Sequence, residues 1–319
     1  MSENYVMKLA KNIRENIQKV IIGKSSVIDL MITSIIVGGH VLLEDVPGTG
    51  KTVLAKSLAK SIDVDFKRVQ FTPDLLPSDL TGINYYNQKN QDFTFRKGPI
   101  FTNILLADEI NRATPRTQSS LLESMEEYQL SIDGHTYELS QPFFVIATEN
   151  PIENQGTFPL PEAQLDRFLM KISMGYPTLE ESKKIFKRFI LDNPFETIKS
   201  TCSIDDILNA KREYKNVFVH DEIQEYILNI VEETRNNDSI TMGISPRGAL
   251  ALLKSSQAYA AIKGRNYVIP EDVKYLCPYV LNHRIILKDT LSIRGISAFS
   301  IIEDIVNKIK VPTEDWSQR

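Results

Sequence analysis

Cysteine is scarce in this 319-residue chain. Cys202 and Cys277 are the only two, they lie far apart, and neither sits in a metal-ligand spacing. That excludes a disulfide framework and a thiolate metal site, and two free thiols in a reducing compartment are expected. An excess of one charge is also missing. The 37 Lys and Arg against 41 Asp and Glu leave a formal charge of −4, so there is no bulk basic field for gripping nucleic acid. No long hydrophobic run is present. The most apolar stretch, "VIDLMITSIIVGGHVLL", carries Asp29 and is interrupted by Gly38 and Gly39, which reads as a helix leading into a strand rather than a membrane span. The start, "MSENYVMKLAKNIREN", lacks an apolar signal region. A cytoplasmic chain without repeats or low-complexity segments is the expectation. Its composition is that of an ordinary globular protein, long enough for one large or two medium domains.

One further absence is local. "VLLEDVPGTGKT", Val41 to Thr52, ends like a phosphate-binding loop, but Asp45 stands where the pattern G-x-x-x-x-G-K-[ST] has its leading glycine. The context is otherwise that of such a loop. Val41 to Leu43 read as a buried strand, Pro47 and Gly48 as a turn, and "KTVLAKSLAKSI" as a helix. Glycines let backbone amides curl around an anion, and a helix N-terminus adds partial positive charge. The residues expected to hold nucleotide are therefore Val46, Pro47, Gly48, Thr49, Gly50, Lys51, Thr52 and Val53. Lys51 would reach the β- and γ-phosphates, and the Thr52 hydroxyl would sit on Mg²⁺. Asp45 is expected to be tolerated because Asp accepts unusual backbone angles.

Helical periodicity runs over 3–20, with Leu9, Ile13, Ile17 and Val20 on one face. "KRVQF", "NILLADE" and "PFFVIATEN" read as strands. "GINYYNQKNQDFTFRKG" reads as a hairpin with a polar tip from Asn87 to Asp92. "YQLSIDGHTYEL" reads as another, with an Asp133-Gly134 turn pairing Leu130 with Tyr137 and Tyr128 with Leu139. A helix should begin with Thr114 as cap and Pro115 in its first position. Strands alternating with helices, with polar residues at the strand ends, imply an α/β parallel sheet with a ligand at that edge. After Pro177 the pattern turns helical, opening with a Thr178–Glu181 capping box. The expected organisation is an α/β nucleotide-binding domain over 1–177 with two hairpin insertions, and an all-helical domain over 178–319.

Further candidates lie along the chain. Asp108 and Glu109 end a strand, where the first acid of such a pair can hold Mg²⁺ and the second can deprotonate water. Taken alone they would be an ordinary capping pair. Asn150 ends "IATEN" as a neutral donor for water or phosphate, or else begins an Asn-Pro turn. Arg167 follows the acid of "LDRF". Arg247 sits in a helix's first turn behind Ser245 and Pro246, where the helix dipole opposes a cation and an anionic partner is expected. For either arginine a surface salt bridge is the bland alternative.

The order of these parts resembles an AAA+ ATPase. The strings "QFTPDLLPSDLTG", "ADEINRATPRTQSSLLESMEE", "ATENPIENQGTFPLPEAQLDRFLMK", "ISPRGAL" and "VLNHRI" resemble the MoxR family, over roughly residues 10 to 312. Members of that family commonly carry a non-glycine residue before "VPG". The resemblance implies a P-loop domain with a helical lid, ATP and Mg²⁺ as cofactors, and a homo-oligomeric ring, usually hexameric. It implies Asn150 as first sensor, Arg167 as arginine finger and Arg247 as second sensor, acting in cis or in trans. It also implies a protein partner with a von Willebrand factor A domain, and a chaperone-like or metal-inserting role. Two other readings are a nucleic-acid motor and a non-hydrolysing scaffold. The weakly basic hairpin tips speak against the first, and the intact set Lys51, Asp108, Glu109, Asn150 and Arg167 against the second.

Overall fold

The computed structural model describes residues 4–89, 91–151, 156–191, 194–288, 295–313 and 316. Residue 90 of the first hairpin tip and residues 152–155 of the "ATENPIENQG" string lie outside them. The frame is a five-stranded parallel sheet in the order β2-β5-β8-β1-β9. Its members are β1 (His40–Glu44), β2 (Phe66–Gln70), β5 (Ile104–Asp108), β8 (Phe144–Glu149) and β9 (Phe168–Ile172). The central strands β1, β5 and β8 are buried at successive positions, because both faces of a parallel sheet are covered. Parallel pairing brings the strand ends Glu44, Gln70, Asp108 and Glu149 to one edge. The edge strand β9 was not among the expected strands.

Two cores flank the sheet. On one face, α1 (Tyr5–Gln18), α2 (Ser25–Val37) and α3 (Lys51–Ile62) pack in a single apolar cluster with the C-terminal helices. Those are α8 (Ile204–Glu213), α9 (Asp221–Asn236), α10 (Pro246–Ile262), α11 (Pro270–Leu281) and α12 (Ala298–Lys308). Helix α2 is buried from Val27 through Ile36, between the sheet and α10. Buried Asp29 on α2 accepts Arg14 of α1 at 2.5 Å and Lys263, next to α10, at 2.8 Å. One core thus joins the residues before and after position 177.

The opposite face is covered by α5 (Pro115–Glu127), whose Leu121, Leu122 and Met125 pack on Leu105, Val145 and Ala147. Thr114 occupies its cap, but through its carbonyl, which accepts from Thr117 and Gln118. Its hydroxyl makes no cap bond to a helix amide. A short α4 (Pro77–Thr81) leads into the hairpin β3 (Gly82–Asn87) and β4 (Asp92–Lys97). The second hairpin, β6 (Gln129–Ile132) and β7 (His135–Glu138), has the expected register. Leu130 faces Tyr137, and the Leu139 amide donates to the Tyr128 carbonyl at 2.9 Å. Asp133 and Gly134 turn with φ of 49° and 80°, which the Asp-Gly pair makes accessible. The hairpins lean together through stacked Phe95 and Tyr137, centroids 4.4 Å apart, and an Asn84–Asp133 hydrogen bond of 2.6 Å.

A short helix α6 (Glu162–Leu165) precedes β9, and α7 (Leu179–Leu191) follows it with the expected Thr178–Glu181 capping box. The C-terminal part is not all-helical. Strands β10 (Ile240–Met242) and β11 (Ile286–Leu287) form a small antiparallel pair. It ties the exit of α9 to the chain beyond α11, and the Ser245 hydroxyl then caps α10 at the Gly248 amide.

Candidate nucleotide site

The loop between β1 and α3 is shaped by two glycines. Gly48 and Gly50 have φ of 83° and 95°, and a Cβ at either would meet open space. Glycine is therefore required by the backbone conformation and not by crowding. Gly50 caps α3 without a side-chain bond, which leaves the first-turn amides of that helix for an anion. Asp45 has no left-handed backbone angle, so conformational tolerance is not what suits it to its position. Its buried carboxylate acts as a tether. Oδ1 accepts the Val46 amide, and Oδ2 accepts the Met174 and Gly175 amides beyond β9, each at 2.9 Å.

A cleft of about 400 Å³ opens at this edge, lined by Pro47, Gly48, Gly50, Lys51, Thr52 and Val53, by Asp108 and Glu109, and by Asn150. Val46 is not in the lining, and its amide donates to Asp45. Thr49 faces a separate pocket of about 260 Å³ with Val20, Ile21, Ile22, Met174, Ile185 and Phe189. An apolar recess beside an anion cradle suits the base of a nucleotide. Lys51 Nζ donates to the Asp45 carbonyl at 2.8 Å. Burial lowers its pKa, while Asp45, Asp108 and Glu109 oppose that shift. The Lys51 ammonium is thus partly desolvated and surrounded by acceptors.

The acid pair is held by side chains from neighbouring strands. Asp108 Oδ1 accepts the hydroxyl of buried Thr148 on β8 at 2.6 Å, and that hydroxyl accepts the Glu109 amide at 2.9 Å. Asp108 Oδ2 accepts Arg68 of β2 through Nε and Nη2, at 3.0 and 2.7 Å. Glu109 sits at φ 57°, a costly conformation for a non-glycine residue that the surroundings must enforce. Its Oε2 accepts Gln70 Nε2 at 2.7 Å and Arg112 Nη1 at 2.9 Å. Asn150, buried at the end of β8, completes the cleft. Arg68, Gln70, Arg112 and Thr148 were not singled out from the sequence. Only the strand order, with β2 and β8 on either side of β5, gives Arg68, Gln70 and Thr148 a place here.

Arg167 and Arg247 do not line the cleft. They share one carboxylate instead. Glu126, near the end of α5, faces Arg247 Nη2 through Oε1 at 2.8 Å and Arg167 Nη2 through Oε2 at 3.3 Å. The anionic partner expected for Arg247 is thus a carboxylate of its own chain. Behind this trio, Asp166 accepts Arg284 Nε at 2.6 Å and the Ser245 hydroxyl at 3.4 Å.

Residues 40–170 match the family model for the ATPase family associated with various cellular activities, and residues 232–305 match the AAA lid domain. Protein YeaC of Bacillus subtilis, itself uncharacterised, is 50% identical over 94% of each chain. Chaperone MoxR1 of Mycobacterium tuberculosis is 39% identical over 93% of this chain and 80% of its own. Protein MoxR of Methylorubrum extorquens is 26% identical over 94% of this chain and 93% of its own. Among solved structures, a protein from Cytophaga hutchinsonii assigned as an ATPase superposes with a TM-score of 0.90. It has 40% identity and covers 97% of this chain and 96% of its own.

Proposed function

The chain belongs to the MoxR family of AAA+ ATPases, and from that premise we propose that it hydrolyses ATP within a ring of its own copies to remodel or activate a protein partner. The observation that carries this reading is the separation of the arginines from the cleft. Arg167 and Arg247 pair with Glu126, outside the lining that contains Lys51, Asp108 and Glu109. A hydrolytic site that needs those guanidinium groups is completed by a second copy of the chain.

The donor set fits a nucleotide with its metal. Gly48 and Gly50 leave open space at the loop, and no side chain caps the first-turn amides of α3. A divalent ion would rest on Thr52 and Asp108, which line the same cleft, and on phosphate oxygens. Mg²⁺, when bound there, supplies charge neutralisation across the β- and γ-phosphates. Lys51 binds the same phosphates. Glu109, oriented by Gln70 and Arg112, takes a proton from the attacking water, and Asn150 positions that water. Arg167 of one copy neutralises charge developing on a neighbour's phosphate, with Arg247 beside it.

A hexamer is the expected assembly by family resemblance. A protein with a von Willebrand factor A domain is the expected partner, activated or loaded with metal. The exposed cross-strand pair Tyr86 and Phe93 of the first hairpin, with ring centroids 5.5 Å apart, offers an aromatic surface suited to a protein. With a net charge of −4, a nucleic-acid substrate is not favoured. Among the described residues no helix is long and apolar enough to cross a membrane.

Glu109→Gln tests the reading. The amide cannot accept the water's proton, so turnover should fall by about 10²–10⁴ while ATP affinity by calorimetry stays at the wild-type value. Affinity capture with this variant in ATP should retain the partner. Turnover near wild type would remove Glu109 from the base role.

A further inference from the structure

Two guanidinium groups meeting at one carboxylate form an unusual arrangement at a partly exposed surface. Arg167 and Arg247 are about a third and a half exposed, and Glu126 is 36% exposed, so the trio keeps one side open to solvent. Two cations and one anion leave a net positive charge there. Without the carboxylate the two cations would repel, and Arg247 already lies in the first turn of α10, where the helix dipole disfavours it. Glu126 is therefore the group that lets the two arginines stay side by side.

The backbone beneath them is fixed. Arg284 is buried, pairs with Asp166, and donates to the carbonyls of Phe168 at 2.6 Å and Leu169 at 3.1 Å. The buried His283 ring also meets the Phe168 carbonyl, at 2.9 Å. Ser245 binds Asp166 and caps α10. These contacts join the sheet edge carrying Arg167 to the lid helix carrying Arg247. Helix α5 is anchored at its other end by Gln118, whose Nε2 donates to the carbonyls of Ile110, Ala113 and Phe158. Glu126 thus stands on a rigid rod, and the orientation of the two guanidinium groups is set by which Glu126 oxygen each one meets.

We propose that Glu126 is a positioning residue: it aligns Arg167 and Arg247 as one bidentate clamp for the terminal phosphate of a nucleotide held by a neighbouring copy of the chain. This rests on the reading of Arg167 as a group that acts across the ring. Glu126 touches no substrate itself. It orients the planar forks, whose geometry matches phosphate oxygens.

Glu126→Gln keeps the size and one acceptor but removes the charge that binds both arginines. The full-length protein is assayed for ATP turnover, for ATP affinity by calorimetry, and for assembly by sedimentation. The expected result is a kcat about tenfold lower, with KM, affinity and assembly within twofold of wild type. Glu126→Asp should recover part of the loss. Adding Glu126→Gln to Arg167→Ala should cost almost nothing further, because the clamp is already lost. Mixing Glu126→Gln with Lys51→Ala should recover activity, whereas mixing it with Arg167→Ala should not. A wild-type kcat in Glu126→Gln, beside a slow Arg167→Ala, overturns the positioning role and leaves the function reading intact. A full tenfold loss on top of Arg167→Ala overturns it as well. Wild-type turnover in Arg167→Ala itself would remove both.

Discussion

The phosphate cleft and the Glu126 cluster are built on opposite charge logic. In the cleft, the loop glycines and Lys51 face the acids Asp108 and Glu109, the groups proposed for the metal and the proton. In the cluster, two arginines outnumber the single carboxylate they share. In the proposed function, one region receives phosphate and the other offers charge to it. Both lie in the same chain, yet neither reaches the other, and so the proposed chemistry belongs to an interface between copies rather than to one fold unit.

The largest effects should separate the two regions cleanly. Lys51→Ala removes the loop's cation, and ATP affinity should fall by at least roughly 100-fold, read by calorimetry. Arg167→Ala should bind ATP as the wild type does but turn over about 10³–10⁵-fold more slowly. Loss of affinity in Arg167→Ala would break the division of labour.

Acid should act on the sheet that carries both regions. His40, at the start of β1, is fully buried. Its Nε2 donates to the carbonyl of Met125, next to Glu126, and its Nδ1 accepts the Val145 amide, each at 3.0 Å. Burial lowers its pKa from 6.5 to about 4. The folded protein therefore binds fewer protons than the unfolded chain between those values. The stabilisation is complete above pH 6.5 and is lost as pH falls toward 4, by about 3 kcal/mol. Urea midpoints at pH 7 and 5 should differ more for wild type than for His40→Gln. Equal differences would contradict the assignment.

The smallest effect sharpens the cleft itself. Arg68 donates to Oδ2 of Asp108, the carboxylate proposed to hold a divalent ion, and the pair is half exposed on the arginine side. Arg68→Ala should lower the Mg²⁺ concentration for half-saturation of the ADP-bound protein by about threefold, measured by titration with Mn²⁺ as a spectroscopic substitute. Weaker metal binding in that variant would make Arg68 a support of Asp108 and not a competitor.

The legible parts of the sequence are those written contiguously. The phosphate loop, the acid pair and the strands β1, β5 and β8 each occupy one unbroken run. So do the Asp133-Gly134 hairpin and the Thr178 capping box. Strand β9 escaped because Lys171 interrupts the apolar run of "FLMKI", and β10 and β11 have only three and two residues. Asp45 suits its position as a tether and not through its backbone angles. Its partners Met174 and Gly175 are distant in sequence, so only the fold reveals the tether. Arg68, Gln70 and Thr148 reach the acids across strands whose order the sequence does not state. Nothing local distinguishes Glu126 from Glu123 or Glu127 in "ESMEE", although Glu126 alone meets both arginines.

Whether cleft and arginines work across copies is decided by mixing two inactive proteins. Lys51→Ala lacks a competent cleft but keeps Arg167, and Arg167→Ala has the reverse defect. In mixed rings, some interfaces join an intact cleft to an intact Arg167. ATP turnover measured on the mixture, with mixed assembly verified by sedimentation of tagged subunits, should rise well above that of either variant by itself. A mixture that assembles and stays as inactive as its parts would contradict the account, because Arg167 would then act within its own subunit or only in its structure.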